Sequence, residues 1–460
     1  MTSNQKQITH HSKLNRHVAN GCIALATYML SLVMNALLIR YIGIERYGDT
    51  MLSYQATTVV SMLLLMGTGN LVRAMFSIKA TNGIARRSYF IRWHLGFIVQ
   101  SITIYSIGYL VMVCLLVGAE SLGCLTLSSL HITVWALVCA PLLAVCQLCR
   151  VYLIAFGHRL FSHMTTELCR VGIWTALIGL GLYYVPMPDH WDMVIMIIIQ
   201  SLILCLFALS FAAFFLSRPL SELVANESIQ VDMKRYRSRH TSIINSLYRQ
   251  LPTVALLLST VFFAADETVA GDLSLCITIT MIFGMVTQFF TPLAYDELRR
   301  YLGRSGQALS SPKRVINLNR AVICSHIGII SLLVTHGHAV LDAFGRDSSS
   351  THWMLIGVGI ASIFRSLYEP LHTYVLVGSR CVNSIERFNM SCYLLMLLGG
   401  PWAVYYFGVP HLIVGYVLSS FIQLCFSSYL VRKTTGLFLM AIWSSRRAHS
   451  ADDNAVMVTG

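Results

Sequence analysis

Apolar windows of about 17–28 residues recur along the whole 460-residue chain, and they restrict it to one kind of fold. They fall near residues 18–40, 50–74, 89–117, 129–156, 167–186, 191–216, 242–264, 273–298, 317–343, 351–377, 388–408 and 410–431. A helix rises 1.5 Å per residue, so about twenty residues cross a hydrocarbon core about 30 Å thick. Backbone amides find no water there, and a helix satisfies its own. Charged residues are 12% of the chain and hydrophobic ones 56%, which leaves too little polar surface for a soluble domain. The expected fold is an all-α polytopic membrane protein of about twelve transmembrane helices. The last two windows nearly touch at Gly408-Val409-Pro410, so eleven spans is the competing count. The basic stretch Met1–Val18 leads into an apolar run with no small-residue cleavage site, which reads as a retained first span.

Charge placement sets the expected orientation. With both termini in the cytoplasm, the inner connections and helix ends hold thirty of the 33 Lys and Arg; Arg40, Arg46 and Arg346 fall outside. The acids divide ten and ten, giving +20 inside and −7 outside, together the +13 of the whole chain. This is the asymmetry that fixes membrane topology. It also accounts for the net charge without nucleic acid. The scattered Cys lie mostly in apolar segments and read as reduced, buried packing residues.

The longest connection divides the chain into residues 1–216 and 242–432, with a cytoplasmic linker at 217–241 and a cytoplasmic tail at 433–460. Two pairs of segments then match six spans apart. Glu45-Arg46-Tyr47-Gly48-Asp49 pairs with Glu267 to Gly271-Asp272, and the Gly157 end of the fourth span pairs with the Gly378 end of the tenth. Partners on the same side of the membrane imply a parallel repeat. Gly is also a common helix stop, so the second pair has a simpler explanation.

Ionisable groups at membrane depth mark candidate sites. Arg365 lies near the middle of its span, followed by Glu369, Pro370 and His372. Either Arg365 and Glu369 neutralise each other beside a kink, or Arg365 meets an anionic substrate while Glu369 or His372 carries a proton. Arg40, Arg73, Arg150 and Arg249 sit near span ends, where snorkelling competes with a cavity role. Asn35 and Asn70 add amides at depth, with interhelical hydrogen bonding as the plainer reading. Asp296 is a further proton-coupling candidate. Enzyme signals are absent: there is no GxxxxGK[ST] loop, and Cys146-x-x-Cys149 and His336-Gly-His338 lack the partners of a metal site. No cofactor or metal is expected.

The stretch Leu38-Ile39-Arg40-Tyr41-Ile42-Gly43-Ile44-Glu45-Arg46-Tyr47-Gly48 resembles the R-x-L-G-x-x-x-Y-G turn after the first span of Wzx-type bacterial polysaccharide flippases, with Ile42 in place of Leu. These belong to the multidrug/oligosaccharidyl-lipid/polysaccharide exporter superfamily. Gly67-Thr68-Gly69-Asn70-Leu71-Val72-Arg73 resembles the family's G-x-G-x-x-x-R end, and Phe290-Thr291-Pro292-Leu293 its eighth-span Pro. The resemblance implies two six-helix bundles around a central cavity, as in MATE transporters. It further implies a bacterial inner-membrane flippase, of the O-antigen type, for an undecaprenyl-pyrophosphate-linked oligosaccharide, with membrane lipids and envelope-polysaccharide assembly proteins as partners. Arg40 and Arg73 match family positions; Arg150, Arg249 and Arg365 are chosen by depth. A multidrug or cation antiporter of the same superfamily is the near alternative, and a membrane enzyme such as a polysaccharide polymerase a more distant one.

Overall fold

A computed structural model describes residues 3–65, 83–121, 134–155, 168–184, 191–217, 251–301, 312–378 and 382–435, apart from 135, 265, 267 and 347. Within them the chain forms twelve helices. These are α1 (Ser3–Ile42), α2 (Ile44–Leu64), α3 (Gly83–Ser121), α4 (Ala140–Ala155), α5 (Cys169–Tyr184), α6 (Trp191–Ser217), α7 (Leu251–Phe263), α8 (Thr268–Tyr301), α9 (Pro312–Asp342), α10 (Ser349–Gly378), α11 (Val382–Phe407) and α12 (Val409–Thr435). The linker from 218 to 241 and the tail from 436 lie outside the described residues.

The packing pattern repeats with an offset of six helices. In the first half α1 packs on α5, α2 on α4, and α6 on α4 and α5. In the second, α7 packs on α11, α8 on α10, and α12 on α10 and α11. The halves meet through α2 against α8, flanked by α1 on α8 and α2 on α7. Exchanging the halves reproduces this set of contacts, as the parallel repeat requires. The structure is an all-α fold of twelve helices in two halves of six.

Two junctions turn on a single glycine. Gly43 (φ 82°) separates α1 from α2, and Gly408 (φ 81°) separates α11 from α12. Such φ values suit Gly because it has no Cβ. Each Gly amide donates to the carbonyl four residues back, Ile39 at 2.9 Å and Val404 at 3.0 Å, closing the preceding helix. Phe388 of α11 stacks on Phe426 of α12 at 4.1 Å, so the chain doubles back at Gly408 and the last two windows are two helices.

Six of the twelve helices contain an apolar stretch long enough to cross a bilayer among the described residues: α1, α3, α8, α9, α11 and α12. Helices α4, α5, α6 and α7 contribute shorter apolar stretches. Lipid contact explains one extreme. On α3, Val99, Ile104, Ile107, Leu110 and Leu115 are all exposed, which is stable where the surroundings are hydrocarbon. Helix α2 is the other extreme, with Thr50, Ser53, Gln55, Thr57 and Ser61 all buried. Its surroundings are protein, so it need not be apolar. Thr50, Ser53 and Thr57 each donate to the carbonyl four residues back at 2.8 Å, and Gln147 of α4 donates to Ser61 at 2.9 Å.

Where α2 crosses α8 the backbones nearly touch. A Cβ on Gly271 would lie 2.0 Å from the Ile44 carbonyl oxygen, and one on Gly48 would lie 2.8 Å from Ala270. The two matched turns of the repeat thus pack on one another. Gly271→Val should force the helices apart and lower stability by about 3 kcal/mol. Gly284→Ala, on the same helix with no atom within 4 Å, should be neutral or slightly stabilising. Thermal unfolding of the detergent-solubilised chain checks both; equal melting of the two variants would contradict a close crossing.

Candidate functional site

Away from its acidic end, the seam between the halves is lined by hydroxyl and amide groups. The Tyr28 hydroxyl of α1 crosses to α8 and donates to the Ile279 carbonyl at 2.8 Å. The Tyr47 hydroxyl donates to Asn35 Oδ1 at 2.7 Å and lies 3.4 Å from Thr278 Oγ1 of α8. Asn35 Nδ2 in turn donates to the Ser31 carbonyl at 2.7 Å. Tyr47 and Asn35 are fully buried, so each polar atom there needs a partner. Asn35 therefore binds its own fold's Tyr47 and fixes the α1–α2 corner against α8.

One end of the seam carries the acids. Glu45 and Asp49 lie at the start of α2, Asp266 and Asp272 at the start of α8, and Asp342 at the end of α9. Asp272 is buried and accepts a two-pronged bond from Arg346, Nε to Oδ1 at 2.7 Å and a terminal nitrogen to Oδ2 at 2.8 Å. Thr351 adds a hydroxyl donor to Oδ2 at 3.0 Å. The planar guanidinium matches the carboxylate edge for edge. Bonding to Asp272 raises the Arg346 pKa above its ordinary value, aided by the charges of Asp266 and Glu45. Glu45 belongs to the other half, so this cluster spans the crossing. Asp266 caps α8, its Oδ1 accepting the Thr268 amide at 2.9 Å, which holds that carboxyl below the usual range.

The basic residues selected from sequence take different positions. Arg40 is exposed in the last turn of α1. Arg150 and Arg365 are both half-buried and sit on the corresponding helices α4 and α10, with Arg365 Nε withdrawn from the surface. Arg73, Asn70 and Arg249 lie outside the described residues. Asp296 falls on α8, and Glu369 and His372 on α10, with side chains outside the described set. Three groups that hydropathy and charge placement leave unmarked prove to be polar anchors. They are Tyr47, the Asp272–Arg346–Thr351 cluster and His326, which is fully buried on α9. The repeated Gly-Asp motif is the signal that pointed to Asp272. Among the described residues no cluster of three or more His, Cys, Asp or Glu is arranged to hold a metal.

The fold is that of the multidrug (MATE) transporters and of a lipid II flippase. An inward-facing multidrug resistance MATE family transporter of the MOP superfamily superposes with a TM-score of 0.59 at 12% identity, over 90% of this chain and 97% of its own. The lipid II flippase MurJ, in an inward closed conformation, gives 0.60 at 10% identity, over 89% and 87%. The MATE multidrug transporter DinF-BH gives 0.58 at 14% identity, over 92% and 94%. No protein-family model and no curated protein matches the sequence.

The Asp272–Arg346 pair carries a direct prediction. Arg346→Ala strands a buried carboxylate and should cost about 3–5 kcal/mol. Arg346→Lys should recover little of it, because an ammonium cannot bridge both oxygens. Melting temperatures equal to that of the unmodified chain would contradict the pair's anchoring role.

Proposed function

We propose that the chain is an inner-membrane flippase. It moves an undecaprenyl-pyrophosphate-linked oligosaccharide, an O-antigen or related surface-polysaccharide unit, from the cytoplasmic to the periplasmic leaflet by alternating access. The observation that carries this reading is the pair of half-buried guanidinium groups on corresponding helices of the two halves, Arg150 on α4 and Arg365 on α10. Arg320 of α9 is a third half-buried cation along the helices. A guanidinium suits a pyrophosphate, and a cationic drug calls for the opposite sign. The motif likeness of the α1–α2 turn supports the same substrate class, and the fold shared with MurJ is compatible with a lipid-linked cargo.

In this reading both termini are cytoplasmic, the carboxylate-rich end faces the periplasm, and the two halves (1–216 and 242–432) enclose the cavity. Arg365, Arg150, Arg40, Arg73 and Arg249 are the proposed contacts to the anionic head group, with Asn70 toward the sugars. The shared fold with multidrug transporters makes an antiporter the second reading.

Complementation separates the two. A strain lacking its own flippase should regain surface polysaccharide when it expresses the intact chain. Arg365→Ala should abolish this at unchanged membrane abundance. Drug resistance without polysaccharide would favour the antiporter, and full activity of Arg365→Ala would remove that residue from the site.

A further inference from the structure

We propose that His326 of α9 is a proton-binding site, built so that its ring is fully hydrogen-bonded in both charge states. His326 is 0% exposed and lies near the middle of α9. An ionisable group at that depth is costly unless it has a function or a partner. Its Nδ1 sits 2.6 Å from the Val322 carbonyl. A carbonyl oxygen only accepts, so Nδ1 carries a hydrogen in either charge state. The variable position is Nε2, which faces Thr287 Oγ1 of α8 at 3.3 Å, with the Phe283 carbonyl a further hydrogen-bond partner of the ring. The same hydroxyl lies 3.1 Å from the Phe283 carbonyl. Phe283 also packs its ring on the imidazole, centroids 5.4 Å apart.

These distances give the hydroxyl two roles. With a neutral ring, Thr287 donates to the Nε2 lone pair. When a proton from the aqueous phase adds to that lone pair, Nε2–H becomes a donor. Thr287 then turns its hydrogen to the Phe283 carbonyl and accepts from Nε2. One proton is gained, one N–H bond forms, and no buried polar atom is left without a partner.

The charged and titratable neighbours are few. Helix α8 presents Phe283 and Thr287, neither of them titratable, with Cys276 about three turns to one side and Asp296 and Glu297 about three turns to the other. Helix α10, which also packs on α9, brings Arg365 to a similar depth by residue count, followed by the buried Tyr368, which shares a cluster with Val322 and Ile323 of α9, and by Glu369 and His372. Helix α9 itself carries Arg320 and the exposed Cys324. No described carboxylate lies beside the ring, and the Thr287 hydroxyl is the side-chain group that faces it. The change of access that would bring water to the ring rests on the flippase reading; the protonation chemistry does not.

Solid-state NMR of the ¹⁵N-histidine-labelled full chain in liposomes tests this, with His326→Gln assigning the signal by its loss. The ring should pass reversibly from the Nδ1–H tautomer to the imidazolium in folded protein between about pH 8 and about pH 4. Thr287→Val should lower its proton affinity about tenfold or more, about one pH unit, and Thr287→Ser should restore it. A ring that stays neutral throughout, or a midpoint indifferent to Thr287→Val, overturns the proposal. Should the Val variant not fold, the wild-type titration alone decides. Titration without polysaccharide complementation would remove the proposed cargo and leave the proton site standing.

Discussion

The close crossing of α2 and α8 holds the two halves together. Backbones approach this far only where neither helix presents a Cβ, and Gly48 and Gly271 provide that from the two halves. The contact places Tyr47 within reach of Thr278, and it brings Glu45 beside the Arg346–Asp272 pair. Lipid offers helices no hydrophobic drive to associate, so packing and interhelical hydrogen bonds must supply it. The seam shows both, with the Gly48–Gly271 crossing and Tyr28 bonded to Ile279 across the halves.

That arrangement explains why some features were legible in the sequence and others were not. Helix number followed from apolar windows, because a span must shield its own amides. The ambiguity at Gly408 was one of local geometry: a positive φ reverses the chain in one residue, which leaves no loop to see. Helix α2 is a different case. Its window was placed at 50–74, whereas the helix begins at Ile44. Its first turns carry Glu45, which is exposed, and Arg46 and Asp49, which are half-buried, and the hydroxyls that follow are buried in protein, so hydropathy misses the start of the helix. The glycine pair was visible as a repeat of Gly-Asp, but that its two copies touch was not.

The candidate site was less legible still. Arg365 and Arg150 were chosen by depth, and their placement on corresponding helices emerged only from the fold. Asn35 stood out as an amide at depth, yet its partner Tyr47 lies twelve residues away on another helix. The bond from Arg346 to Asp272 spans 74 residues, beyond any local pattern. His326 sits in an ordinary apolar run, and its meaning depends on a hydroxyl 39 residues earlier. Pairings across helices are fixed by packing, so sequence periodicity is silent about them.

Charge sign is what links the architecture to a substrate. Arg150 and Arg365 are half-buried on corresponding helices of the two halves, and a guanidinium suits an anionic head group. The most direct test uses the purified full chain in liposomes with a labelled undecaprenyl-pyrophosphate oligosaccharide placed in one leaflet, following access of a membrane-impermeant enzyme to the sugar. The account predicts protein-dependent appearance of the sugar in the opposite leaflet, lost in Arg365→Ala. A sugar that stays in its leaflet, while the same vesicles move a cationic dye, would contradict it.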